Sequence, residues 1–227
     1  MVNSFLKSIT KKDFNVTFQF EIVRAVEAVS RGRLELTIWS HEFWYIPELL
    51  DAKQFWSKQN WLKLRLNSRT ELEFSPEMIL KNALYFKEHR TPLLNTILEI
   101  RNDGFMVLHS LYTLDIPCTK IIPTQSKCIK YELCGVEIVE SQYESSVSAV
   151  CELHYGSLIY DNNQIILNWA TSSFHETNMA CSVELLPRCV ITRIRRSKRE
   201  TTFVGQKYDE LVACIVLSFP TRDSVLI

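Results

Sequence analysis

Glycine is scarce in this chain, with five residues in 227, and no glycine-rich loop that could cradle phosphates can be found among them. Ser157 lies in Gly-Ser-Leu, not in a Gly-x-Ser-x-Gly elbow, so serine-hydrolase chemistry has no motif to rest on. None of the seven cysteines stands in Cys-x-x-Cys spacing, which argues against a zinc ribbon or a redox motif. His89, His154 and His175 are scattered without ligand spacing, so no metal site, cofactor or enzymatic activity is expected. Long apolar runs are also missing. The longest, Leu211 to Leu217, falls far short of the roughly 18 to 20 residues that cross a bilayer. Met1 to Phe14 carry three lysines and no apolar block of signal-peptide length, so a secretion signal is expected to be absent or already removed. An excess of charge is lacking as well: 26 basic residues match 26 acidic ones, and no global field draws the protein to nucleic acid or anionic lipid.

Period-two alternation is what the chain has in abundance. Val16, Phe18, Phe20 and Ile22 share one face and Thr17, Gln19 and Glu21 the other; after Ser30-Arg-Gly32 the pattern resumes with Leu34, Leu36 and Ile38. The same alternation sends Glu35, Thr37, Trp39 and His41 to the polar face. A large indole there is an edge contact or part of a binding surface. Leu62, Leu64 and Leu66 alternate with Lys63, Arg65 and Asn67, and Thr96 to Ile100 runs through Asn102-Asp-Gly104, a hairpin turn, into Phe105 to Leu111. Further strand segments are Cys128 to Ile138, Val147 to Leu153, Gln164 to Trp169, Cys189 to Ile194 and Tyr208 to Phe219. Ser4 to Thr10 and Pro47 to Ser57 are expected as short helices. No repeat or linker divides the chain, so residues 1–227 are read as a single β-sandwich domain. The basic run Arg193 to Arg199 lacks interleaved aromatics and reads as a solvated strand face rather than a nucleic-acid patch.

Several segments, in order, carry a family resemblance. Cys151-Glu-Leu-His-Tyr-Gly-Ser-Leu-Ile-Tyr-Asp161 resembles the Cys-x-Leu-x-Phe-Gly-Ser-Trp-x-Tyr-Asp segment of acetylcholine-binding proteins and Cys-loop receptor ectodomains. Trp39-Ser-His-Glu-Phe-Trp44 with Leu49, Phe74-Ser-Pro-Glu-Met-Ile-Leu-Lys-Asn82, the Gly104 hairpin and Tyr208-Asp-Glu-Leu211 are similar to further family motifs. Together they span Val16 to Arg222. The resemblance implies an immunoglobulin-like β-sandwich of about ten strands with a short N-terminal helix, assembled as a ring of five with ligand sites between neighbours. It also implies a disulfide ending at Cys151; the expected partner is Cys134, closing a lengthened loop, with Cys118 as the alternative, and in the first case Cys118 and Cys128 would form a separate clip. At the tip before Tyr208, where the family's acetylcholine-binding subunits carry two adjacent cysteines, this chain has Thr201-Thr-Phe-Val-Gly-Gln206.

Carried over residue by residue, the family's pocket is Lys81, Leu158, Phe203 and Tyr208 on one subunit and Trp39, Val107 and His109 on its neighbour. A quaternary ammonium is held by electron-rich rings worth roughly 0.5 to 2 kcal/mol each, and here leucine and lysine replace two of them. Weak or absent acetylcholine binding follows, with preference for an amphipathic ligand bearing an acidic or zwitterionic head. The resemblance thus implies a secreted, non-enzymatic ligand-binding homo-oligomer with no membrane span in this chain. Two other readings stay open: the ectodomain of a ligand-gated channel subunit, and a structural or protein-binding sandwich with a vestigial pocket.

Overall fold

The computed structural model describes residues 14–28, 32–51, 60–66, 76–89, 95–121, 131–133, 136–138, 148–170, 179–183 and 186–218. The N-terminal helix expected at Ser4 to Thr10 lies outside the described residues. Of the second helix, Glu48–Asp51 (α1) is described and helical.

The alternating segments become strands. The first layer contains β1 (Phe14–Ala28), β2 (Arg33–Tyr45), β3 (Trp61–Arg65), β5 (Tyr85–Glu88), β6 (Thr96–Arg101), β7 (Phe105–Ile121) and β11 (Ile165–Trp169). The second contains β4 (Met78–Leu80), β10 (Ser148–Ser157), β12 (Met179–Val183), β13 (Leu186–Phe203) and β14 (Gln206–Ser218). A two-stranded ribbon, β8 (Tyr131–Leu133) with β9 (Val136–Ile138), lies within the segment read as one strand from Cys128 to Ile138.

Strand order runs β11-β1-β2-β7-β10-β14-β13-β12, with β6 and β5 also paired to β7, β3 to β6, and β4 to β10. All these ladders are antiparallel except β1 with β11, which is parallel. The long β7 joins the layers: it pairs with β2 from Phe105 to Pro117, then its last residues pair with the start of β10. Gly104 makes the tight turn into β7 at a φ of 88°, where a Cβ would meet Tyr45 Cε2 at 2.5 Å, so only glycine fits.

The core fills the space between the layers. Phe18, Leu36, Ile38 and Leu114 from one layer meet Leu153, Tyr155, Leu211 and Ile215 from the other, all buried. Phe18 stacks on Tyr155 with ring centroids 3.8 Å apart. Burying each such side chain is worth about 1.5 to 3 kcal/mol, so alternation of this length is enough to set which face of a strand turns inward.

The strand register corrects the cysteine assignment. Cys151 on β10 stands directly opposite Cys118 on β7, with Cα atoms 4.1 Å apart, and the two form a disulfide. The expected Cys134–Cys151 bond and the Cys118–Cys128 clip are therefore both overturned, because Cys118 is already adjacent across the ladder. Closing a loop across a separation of 33 residues contributes about 4 kcal/mol in the chain-entropy picture. Cys214 is disulfide-bonded as well.

Candidate functional site

The seven pocket residues carried over from the family fall into two groups on opposite sides of the sandwich. The first group lies on the outer face of the first layer. Leu34, Leu36 and Ile38 are buried inward, which turns Trp39 and His41 outward on β2, where both are half-buried. On β7, His109 stands directly opposite His41, Val107 opposite Phe43, and Leu111 opposite Trp39. Trp39, Val107 and His109 thus share one face. Val107 is only 5% exposed, so within one chain it supports the face more than it lines it.

His41 is a member of this face that the family carry-over missed, although the alternation that exposes Trp39 also exposes it. Its Nδ1 lies 2.7 Å from Nδ1 of His109, a hydrogen bond in which one imidazole donates and the other accepts. Burial lowers the pKa of His41, outweighing the attraction of Glu21, whose carboxylate is 3.9 Å from its Nε2. Burial and the neighbouring His41 lower that of His109, with Glu99 opposing and Lys63 assisting. Both rings are therefore biased toward the neutral form.

The second group lies on the outer face of β10, β14 and β13. Lys81 follows β4 and is pinned by its backbone N–H, which donates to His154 O at 2.9 Å. Asn82 completes the anchorage: its side chain donates to Glu152 O at 2.7 Å and accepts from the His154 N–H at 3.0 Å. The lysine side chain then folds back over Gly156, where a Cβ would stand 2.8 Å from its Cε and 3.0 Å from its Nζ. Its ammonium comes to rest 3.8 Å from Glu210 Oε1.

Glu210 is the centre of a charged network. It is 4% exposed, pairs with Arg199 across the β13–β14 ladder, and lies 3.5 Å from His154 Nδ1. Burial would raise its pKa, but hydrogen bonds from His154 and Arg199, together with their charges, hold the carboxyl at about 2. His154 also bonds Glu152 through Nε2 at 2.7 Å. Burial opposes its protonation, yet the two carboxylates prevail and raise its pKa above 6.5. Its Nδ1 also sits 2.9 Å from an Arg199 nitrogen, a contact that suits an unprotonated Nδ1. Two carboxylates against one guanidinium still favour the proton, which Nδ1 then shares with Glu210. Neither His154 nor Glu210 belongs to the carried-over pocket. Their sequence signals were positional, Glu210 two residues beyond Tyr208 on the same strand face and Arg199 within the basic run.

The remaining residues rim this network. Tyr208 is nearly buried, and its hydroxyl donates to Gln206 Oε1 at 2.8 Å. Ser157 is structural: its Oγ accepts from the N–H groups of Ile159 at 3.1 Å and Tyr160 at 3.0 Å, a turn that projects Leu158 outward at 66% exposure. The loop after it is tied to the hairpin by Asn162 N–H donating to Lys207 O at 2.8 Å. Phe203, at the tip of that hairpin, is 71% exposed. The basic run lies along β13, where Lys198 pairs with Asp209 at 2.6 Å and Arg196 covers the Trp169 ring. Among the described residues, no helix is long and apolar enough to cross a membrane.

Comparison with known proteins reveals a likeness of fold. No protein-family model matches the chain, and no curated protein matches it in sequence. The crystal structure of the acetylcholine-binding protein AChBP from Bulinus truncatus superposes with a TM-score of 0.63, covering 96% of this chain and 97% of that one at 14% sequence identity. The chain therefore has an AChBP-like fold.

Proposed function

We propose that this protein is a secreted, non-enzymatic ligand-binding protein whose small-molecule site forms between neighbouring copies in a ring of five. The face carrying Trp39, Val107 and His109 on one copy meets Lys81, Leu158, Phe203 and Tyr208 on the next. One observation carries the reading. The two groups occupy the outer faces of different layers, with the core between them, so a single chain presents two half-sites that only a second copy can complete. The exposed Leu158 and Phe203 are apolar surface of the kind that an interface covers. The Cys118–Cys151 bond suits an oxidising, extracellular compartment.

The altered walls argue against quaternary ammonium ligands. Lys81 holds a positive charge where the family places a ring, and a like charge within about 4 Å costs a cation about 4 kcal/mol at an effective dielectric near 20. Glu210 offsets that charge, but Lys81 and Arg199 against Glu210 and Glu152 leave no negative excess, and His154, whose pKa the two carboxylates raise, adds positive charge once protonated. A ligand with an aromatic or aliphatic body and an acidic or zwitterionic head suits this surface.

Light scattering on the native protein should return the mass of five chains; a monodisperse monomer would leave the site without its other half. Calorimetric titration should give no submicromolar acetylcholine binding. Restoring one ring with Leu158→Trp should strengthen acetylcholine binding by roughly 0.5 to 2 kcal/mol, and no gain would mean that residue 158 does not line the site.

A further inference from the structure

A separate cavity lies inside each chain, and it does not depend on any neighbour. It has a volume of about 380 Å³ and opens beside β5, between the inner faces of β2 and β7 and the short β4 at the end of β10. That volume falls within the roughly 300 to 1,000 Å³ typical of small-molecule sites. Its walls are apolar: Leu80 from β4, Ala83 from the bend after it, Tyr112 from β7 and Phe86 from β5. Phe86 is 54% exposed at the mouth, and its ring lies 5.0 Å from that of Tyr112.

The two charged side chains that line this cavity, Glu42 and Glu88, are both acidic, beside the hydroxyls of Ser110, Tyr112 and Tyr155. Glu42 is 1% exposed and stands in the inward series Leu34, Leu36, Ile38, Ser40, Glu42, Trp44, where alternation otherwise calls for core residues. Glu88, on the same wall as Phe86, accepts a hydrogen bond from Thr96 Oγ1 at 2.6 Å. A carboxylate can accept about four hydrogen bonds, so each can serve its protein partners and a ligand donor together. No basic side chain stands among the described residues that line the cavity.

We infer that this cavity binds a small amphipathic amine. The ammonium meets Glu42 and Glu88, with the Phe86 and Tyr112 rings offering cation–π contact, and the apolar body lies against Leu80 and Ala83. An anion of the same shape is excluded by the two carboxyl groups. Preference here is opposite in sign to that of the proposed interface site, so one chain would sort amines inward and acidic or zwitterionic ligands to its outer surface.

Calorimetry on the full chain with 2-phenylethylamine, its neutral counterpart 2-phenylethanol and its acidic counterpart phenylacetate tests this. The amine should bind with one equivalent per chain, the alcohol more weakly, and the acid not measurably. Glu88→Gln should weaken the amine roughly tenfold, the loss of one charge-assisted hydrogen bond. Ala83→Leu, which fills the cavity, should abolish binding. Phe86→Ala at the exposed mouth should weaken it, and serves if Ala83→Leu fails to fold. Trp39→Ala, on the opposite face of β2, should leave amine binding unchanged, so failure of the interface reading and failure of this one are distinguishable. Equal binding of amine and acid, no amine binding, or amine binding that survives both Glu88→Gln and cavity filling would overturn the inference.

Discussion

Two faces of one sandwich carry half-buried histidines, and their surroundings drive them in opposite directions. His41 and His109 bond each other on the first layer, and burial lowers both pKa values. His154, on the second layer, is buried to a similar degree but lies between Glu152 and Glu210, and its pKa is raised. Desolvation acts alike on all three, so the carboxylates decide the outcome. A strand position therefore determines that a histidine faces outward but not whether it carries charge. One face of the proposed interface carries an indole and two imidazoles biased toward the neutral form, and the other is an ionic lattice edged with exposed leucine and phenylalanine.

Severing the link between these faces should have the largest effect. Replacing Cys118 and Cys151 with alanine removes the bond joining β7 to β10 and should cost about 4 kcal/mol, read as a fall in the denaturant midpoint. An unchanged midpoint would show that packing alone holds the layers in register.

Removing the centre of the ionic face comes next. Glu210→Gln should cost about 3 kcal/mol near neutral pH, since its carboxyl titrates at about 2 instead of the ordinary 4.5. A depressed acid stabilises above its unfolded pKa, so this contribution should be complete above about pH 4.5 and lost as pH falls toward 2. The gap between parent and variant should close over that window, and NMR titration should find the His154 pKa lowered in the variant. A constant gap at all pH values would mean that Glu210 acts through packing, not charge.

The smallest effect sharpens the contrast most. A lowered histidine pKa stabilises fully above 6.5 and loses that contribution as pH falls below it; a raised one stabilises below 6.5 and loses it as pH climbs through the folded value. Replacing His41 and His109 with glutamine should flatten the acid side of the stability profile, and His154→Gln the alkaline side, each by no more than about 1 kcal/mol. Melting curves across the pH range would show it. Identical profiles for the two variants would erase the distinction between the faces.

Period-two alternation made most strands legible, along with the side of the sheet that each residue faces. Trp39 and His41 could be sent outward, and Phe18, Leu36 and Ile38 inward, because burying one face is worth far more than any local preference. Motif order made the AChBP-like fold legible too. Alternation could not say which strands become neighbours. Cys118 lies opposite Cys151 because β7 crosses from one layer to the other, and β11 runs parallel to β1 because the chain returns along its far edge. The orientation of Lys81 depended on Glu210, 129 positions later, and on the missing Cβ of Gly156. Each strand's pattern is written within a few consecutive residues. Partnership between strands is a long-range choice, made by the summed fit of a whole core, and so it was readable only once the layers had been assembled.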